Sequence, residues 1–255
     1  MNLPTAIITG ATSGFGKAMT ERLAANGKHN LVITGRRTER LTRLAKDVCE
    51  EFQVKVWTLA FDIRSKDEVH NAISSLPPDF RNVRILVNNA GLAAGRDNVE
   101  TALLSDWDEM IDTNIKGLSY MTKATLPLMM ACNDGHIVNI GSIAGKESYP
   151  GGSMYCASKH AVDAFTKALR SELLPHGIKV SQICPGAADT EFSLVRFKGN
   201  KDLADAVYTG YEPLQASDIA DLLMYIVNCP PHVCINDVVI TPKAQANSFF
   251  IHKKA

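Results

Sequence analysis

Short runs of apolar, often β-branched residues alternate along the chain with longer stretches whose apolar positions recur every three or four residues. The runs are Thr5 to Thr9, Leu31 to Thr34, Val54 to Phe61, Ile85 to Asn88, His136 to Ile140, Ile178 to Cys184 and Val238 to Ile240. Most are near-continuous, as expected of strands covered on both faces. Helical spacing follows Gly16 through Ala18, Met19, Leu23 and Ala24. It returns at Leu41, Leu44, Ala45, Val48 and Phe52, and around Val69 to Leu76, where Pro77-Pro78 stops it. A long helix is expected over about Trp107 to Ala131, with Asn114 inside it and Pro127 kinking its later part. Another carries Ala157, Ala161, Val162, Phe165, Ala168, Leu169 and Leu173 on one stripe and ends near Pro175. A last helix covers Ser217 to Val227, and the stretch 193–215 reads as irregular and polar, with a short helix at Leu203 to Tyr208. Strand and helix alternate throughout, which predicts one α/β domain over residues 1–255 with a seven-stranded, parallel, doubly wound sheet. In such a sheet ligands bind in the crevice at the strands' carboxyl ends.

That prediction decides which residues meet. The first strand runs into Gly10-Ala-Thr12-Ser13-Gly14-Phe15-Gly16 and then a helix. Gly10 permits a tight turn, and Gly14 and Gly16 let the backbone approach a pyrophosphate at the helix N-terminus. The spacing differs from GxGxxG, so a glycine-rich turn without a ligand stays open as an alternative. A dinucleotide fold that takes NAD usually places a carboxylate after the second strand; here Arg36 and Arg37 stand there. A guanidinium suits a 2′-phosphate, and a solvated basic loop is the other reading. Asp62, followed by Ile63, lies past the third strand, positioned for an adenine amino group or as a neighbour of a helix cap. Asn89-Ala90-Gly91 leaves the fourth strand with small residues against which a cofactor can lie.

After the fifth strand come Ser142, Tyr155 and Lys159, the last two at i and i+4 on one helix face. A free phenol titrates near ~10 and is a poor acid–base catalyst at neutral pH. Bringing it to about 7 takes roughly 4 kcal/mol of preference for the phenolate. A cation about 5 Å away at an effective dielectric of about 20 supplies on the order of 3 kcal/mol. A lysine nearly suffices, and a second positive charge would complete the shift.

Charge and composition narrow the classes. Twenty-seven basic and 27 acidic residues give a formal net charge of +0, which argues against a general nucleic-acid or membrane-surface binder. No apolar run approaches the ~20 residues of a membrane span. The six scattered cysteines read as reduced thiols, and Cys229, His232 and Cys234 make a poor zinc set, so no metal is expected. With a first strand by Thr5 leaving no room for a signal peptide, a cytoplasmic location is expected.

TGATSGFG at 9–16, NNAG at 88–91, Asn114, Ser142, Tyr155-x-x-x-Lys159 and Pro185-Gly186 together resemble the short-chain dehydrogenase/reductase family over nearly the whole chain. GSIAG, YPGGSMYCASK and TEFSLVRFKGN further resemble its NADP-dependent 3-hydroxy acid (serine or allo-threonine) dehydrogenases. The resemblance implies a Rossmann-like fold, NADP as cofactor, an alcohol or ketone as substrate and a homodimer or homotetramer joined through the two long helices. Tyr155 exchanges the proton with the substrate oxygen, Lys159 lowers its pKa and holds the nicotinamide ribose, and Ser142 donates to the substrate. Asn114 positions a relay water, and Pro185, Gly186, Ala188 and Thr190 border the nicotinamide. A subgroup member is expected to carry a bulkier pair and Glu where this chain has Ala187-Ala188-Asp189, which points to a wider pocket. A reductase of bulky ketones or 3-oxoacyl thioesters, and a silent dinucleotide-binding regulator, are the alternatives; the intact Ser142, Tyr155, Lys159 and Asn114 argue against the last.

A 3-hydroxy acid brings a carboxylate that needs a donor. Lys146, four residues after Ser142, is the first candidate, and Arg196, in an expected lid over about 187–215 with Phe192, is the second. The alternative is that both are solvated surface charges beside a neutral ketone or alcohol substrate.

Overall fold

A computed structural model describes residues 3–254. Seven strands form one parallel sheet in the order β3-β2-β1-β4-β5-β6-β7. They are β1 (Thr5–Ile8), β2 (Asn30–Gly35), β3 (Val56–Ala60), β4 (Val83–Asn88), β5 (Gly135–Ile140), β6 (Ile178–Pro185) and β7 (Asp237–Ile240). Every residue of β1 is buried. Its residues alternate between faces: Ala6 and Ile8 join one core cluster, Ile7 the other.

Helices α1 (Gly14–Asn26), α2 (Thr38–Phe52) and α9 (Ala216–Val227) cover the first face, through Met19, Leu23, Leu41, Leu44, Ile219 and Leu223. The second is covered by α3 (Lys66–Ser74), α5 (Leu118–Ala131) and α6 (Ser153–Glu172), through Val69, Ile73, Met121, Met129 and Leu169. Chain direction around the sheet reverses between β1 and β4, so the crevice opens where the order switches.

Two stretches differ from the sequence expectation. The long helix is divided into α4 (Leu104–Ile111), one wide π-type turn over Asp112–Gly117, and α5. Such a turn inserts one residue and re-aims the side chains beside it. Packing imposes it: a side chain at Gly117 would meet Ile63 at 2.9 Å, so the helix seats directly on the cleft residue Ile63. The stretch after β6 is more ordered than its polarity suggests, with α7 (Glu191–Arg196) and α8 (Lys201–Ala206). Side-chain oxygens of Thr190 and Asn200 cap these two short helices.

Among the described residues no helix is long and apolar enough to cross a membrane. Nor do they gather three or more His, Cys, Asp or Glu side chains into a group that could hold a metal ion.

Candidate active site

β5 delivers the chain to Gly141 and Ser142. Ser142 is extended, and its hydroxyl accepts from Ala144 N at 3.1 Å, turning the backbone into a short 3₁₀ segment over Ile143–Gly145. Gly145 then lies against α6 so closely that a side chain there would meet Lys159 O at 2.6 Å. This contact fixes the serine loop against the helix carrying the other two groups. Gly151, at φ +73°, lets the chain turn into α6. Tyr155 and Lys159 follow one turn apart, both buried. Lys159 Nζ donates to Ile140 O at 2.9 Å and stands 6.0 Å from the centre of the Tyr155 ring.

The electrostatics depart from the simple lysine argument. Burial, then Tyr149, raises the Tyr155 phenol above its ordinary value of 10.0, while the neighbouring Ser142 and Arg196 pull the other way. Burial also pushes Lys159 down to about 8. A buried lysine is itself reluctant to hold its charge, so the pair alone does not bring the phenol near neutrality.

The wide turn of the α4–α5 segment presents Asn114 inward, 1% exposed. Its Nδ2 donates to Leu92 O at 2.8 Å and Ser158 Oγ at 3.0 Å, and its Oδ1 accepts from Leu92 N at 2.9 Å. Both donors are used, and one lone pair of Oδ1 remains. A side chain at Gly91 would lie 3.1 Å from that oxygen and 3.6 Å from Lys159 Nζ, so the two groups flank the same glycine.

On the nucleotide side the fit is to a dinucleotide. Gly10, Thr12, Ser13, Gly14 and Phe15 form one wall, Asn89, Ala90, Gly91 and Thr113 another, and Arg36, Arg37, Asp62 and Ile63 the far end. Gly16 is required by close approach, since a side chain would meet Gly10 O at 2.2 Å. α1 begins with no side-chain cap and no acidic residue in its first turn, so its N–H groups face the cleft without a competing anion. Asn89 is mainly a brace, donating from Nδ2 to Thr9 O at 2.9 Å and Gly10 O at 3.2 Å. Arg64 pairs with Asp62 at 2.6 Å, and hydrogen bonding from Arg64 holds the Asp62 carboxyl below its ordinary range. Pro185, Gly186 and Ala188 stand behind the cleft lining: Pro185 O receives the Ser142 hydroxyl at 3.5 Å, Gly186 packs on Gln245, and Ala188 bridges to Leu214. Thr190 reaches the cleft, with its hydroxyl accepting from Phe192 N.

On the substrate side, Phe192 packs on Tyr155 with ring centres 5.6 Å apart at 59°. The Arg196 guanidinium lies 5.7 Å from the ring centres of both Tyr149 and Tyr155. Its Nε donates to Gly95 O at 3.0 Å and its Nη1 to Tyr149 Oη at 3.1 Å; its Nη2 is buried without a partner among the described residues. Lys146 does not join them. Its ammonium is held between Asp163 of α6 and Asp237 of β7, so two carboxylates already satisfy it. The short tether to Ser142 limits distance but not direction. Tyr149, Asp163, Asp237 and Glu191 carried no local signal, because each acquires its place only through a distant partner.

The chain matches the short chain dehydrogenase family over residues 4–200. It is 46% identical over 245 residues to sulfoacetaldehyde reductase 2 of Chromohalobacter salexigens, covering 96% of each chain. It is 40% identical over 250 residues to the NADP-dependent 3-hydroxy acid dehydrogenase of Schizosaccharomyces pombe, covering 98% of this chain and 96% of that one. Among solved structures, the closed form of a serine dehydrogenase complexed with NADP+ superposes with a TM-score of 0.91 at 40% identity, covering 98% of this chain and 100% of the other.

Proposed function

The chain belongs to the short-chain dehydrogenase/reductase family, and from that premise we propose that it is an NADP-preferring enzyme for small anionic substrates, chiefly 3-hydroxy acids such as serine or allo-threonine. The reaction class, NAD(P)-dependent oxidation of CH–OH or its reverse, follows from membership. The substrate reading is carried by Arg196, a lid guanidinium against the Tyr155 ring with one buried, unpartnered nitrogen. An unmade hydrogen bond at a buried cation is unfavourable, and an incoming anion relieves it.

A second reading is favoured by the sulfoacetaldehyde reductase relative. The two substrate types share a geometry. In a 3-hydroxy acid and in sulfoacetaldehyde, a single carbon separates the reacting carbon from the anionic group. One guanidinium beside one tyrosine serves both.

The cofactor's far end rests on Arg36, which lines the cleft and makes no ion pair among the described residues, whereas the neighbouring Arg37 is paired with Glu191. When bound, the nicotinamide supplies or accepts the hydride. The chain's own residues handle the proton. Tyr155 gives it to the carbonyl oxygen in reduction and takes it back in oxidation, while Ser142 donates to the same oxygen. Lys159 stabilises the phenolate with its own positive charge, and a bound oxidised nicotinamide would add a second. The remaining lone pair of Asn114 Oδ1 holds a water beside Lys159 for the proton relay. Phe192 screens Tyr155 from solvent. The exposed Ala157, Ala164 and Ala168 on α6 support self-association through this helix.

The deciding experiment is a steady-state panel of serine, 3-hydroxypropanoate, sulfoacetaldehyde and 1-propanol with both cofactors, on wild type and Arg196→Met. Expected are activity on anionic compounds, preference for the 2′-phosphorylated cofactor, and a KM for anions at least about tenfold higher in the variant, about 1.4 kcal/mol of binding. A wild type that favours 1-propanol, or a variant that weakens neutral and anionic substrates alike, overturns the substrate reading.

A further inference from the structure

One carboxylate fastens the lid to the opposite side of the cleft. Glu191, the first residue of α7, accepts from Arg37 Nη1 at 3.0 Å and from Arg40 Nη1 at 2.8 and 3.1 Å. Arg37 is held in turn. Its Nε and Nη2 donate to Thr12 Oγ1 at 3.1 and 2.7 Å, and Nη2 also to Ser13 Oγ at 2.9 Å. Thr12 and Ser13 belong to the glycine-rich turn, so the chain of contacts runs from the lid through Glu191 and Arg37 to the floor of the nucleotide site. The neighbouring Thr190 reinforces the closure: a side chain at Gly14 would sit 3.3 Å from its Cβ. On its other side α7 lays Phe192 on Tyr155. The strap therefore crosses the cleft between the end bearing Arg36 and Asp62 and the end bearing Tyr155.

The two arginines after β2, both expected to serve a 2′-phosphate and both lining the cleft, are thus not equivalent. Arg36 is free of ion pairs among the described residues, whereas Arg37 is engaged on three sides. Burial pulls the Glu191 carboxyl up, but the bonds from Arg40 and Arg37 outweigh it and hold the group below the ordinary carboxylate range.

We propose that Glu191, gripped by Arg37 and Arg40, is a latch that keeps a bound dinucleotide in the cleft and sets how fast it leaves. In many enzymes of this kind lid opening limits turnover, so a latch of modest strength is enough to govern flux. It is made of half-exposed ion pairs, strong enough to bias the lid and weak enough to open. The inference rests on the cleft as a dinucleotide site, not on the substrate named above.

The test is stopped-flow displacement of bound NADPH, followed by nucleotide fluorescence and needing no substrate. Wild type, Glu191→Gln, Arg40→Met and the double variant are compared. Loss of the latch should speed release about five- to twentyfold in Glu191→Gln, in keeping with two surface ion pairs. Arg40→Met should follow it part of the way, and the double variant should release no faster than Glu191→Gln. The ratio of NADPH to NADH affinity should stay within twofold. Added salt should speed release from wild type and scarcely from Glu191→Gln. In cofactor-free protein, Glu191→Gln should be cut by protease within 191–215 faster than wild type. Release unchanged within twofold makes the contact a passive surface pair. Slower release, or selectively tighter NADPH, makes Glu191 a competitor of the 2′-phosphate. Either result overturns the latch.

Discussion

At the nucleotide end of the cleft, Asn89 donates into the backbone of Thr9 and Gly10, Thr9 Oγ1 accepts from Asn89 N and Ala90 N at 2.9 Å, and Gly16 sits where no side chain fits. Across the cleft, α7 and the residues after it are held mainly by side chains, Glu191 to Arg37 and Arg40, Arg196 to Gly95 O, Lys198 to Asp106 at 2.8 Å and Tyr208 to Ser193 and to Ala188 O, beside one backbone bond from Gly95 N to Arg196 O. The first region binds by backbone geometry, packed between strands buried on both faces. The second consists of two six-residue helices, the first fastened at its ends by the charged Glu191 and Arg196 and the second capped by Asn200. Backbone scaffolding is rigid and insensitive to salt, while ion pairs of half-exposed groups open at little cost and weaken with ionic strength. A cofactor common to a whole family suits the first construction, and a substrate that must enter and leave suits the second.

The contrast is sharpest at Tyr155, which touches both regions. Tyr155→Phe should lower turnover at least about a hundredfold, within the usual 10²–10⁴ for a lost proton donor, while NADPH affinity stays within about threefold. Turnover above a hundredth of wild type would refute the proton role.

Gly16→Ala attacks the rigid end alone. The new methyl group meets a backbone oxygen at 2.2 Å, so the turn itself must move. Destabilisation of about 2–3 kcal/mol is expected, with cofactor affinity falling alongside. Thermal unfolding and a nucleotide titration check it; an unchanged melting temperature would show that the turn yields as easily as the lid.

Acid should strain the sheet before it disturbs the cleft. His136 is buried in β5, its Nε2 2.7 Å from Ser181 Oγ, whose hydroxyl proton goes to Ile235 O at 2.5 Å. The Ser181 hydroxyl therefore accepts from Nε2–H, and burial, with Lys179 nearby, pushes the pKa from 6.5 down to about 3, which keeps the imidazole neutral near pH 7. Unfolded, it titrates at the ordinary value. Between those values the unfolded chain binds the extra proton, so stability falls as pH drops through about 6.5, by about 1.4 kcal/mol per unit. Denaturant melts at pH 6.5 and 5.0 should show this loss shrinking in His136→Gln; equal slopes would show that the imidazole charges in the fold.

Lys146→Met separates structure from recognition. It leaves Asp163 and Asp237 facing each other, although Asp163 keeps Lys167 at 2.6 Å. A stability loss of about 1–2 kcal/mol is expected for this partly screened pair, with KM for 3-hydroxy acids within twofold of wild type. A selective rise in KM would return Lys146 to the substrate site.

The alternation of apolar runs and amphipathic stretches carried the doubly wound sheet, because burial on two faces or on one stripe marks each segment locally. Gly10, Gly14 and Gly16 were legible for the same reason, since a turn's backbone demands appear in adjacent residues, as does the one-turn spacing of Tyr155 and Lys159. Tertiary structure alone decided the wide turn that delivers Asn114, because the packing of Ile63 on Gly117 and the bonds to Leu92 come from other segments. It also decided the charges. Lys146, Arg37 and Arg196 look alike in sequence, and only partners far along the chain separate them: Lys146 lies between Asp163 and Asp237, Arg37 pairs with Glu191, and Arg196 donates to Gly95 O. Charge acts through space, and neither the direction of a side chain nor its burial is written in its neighbours along the chain.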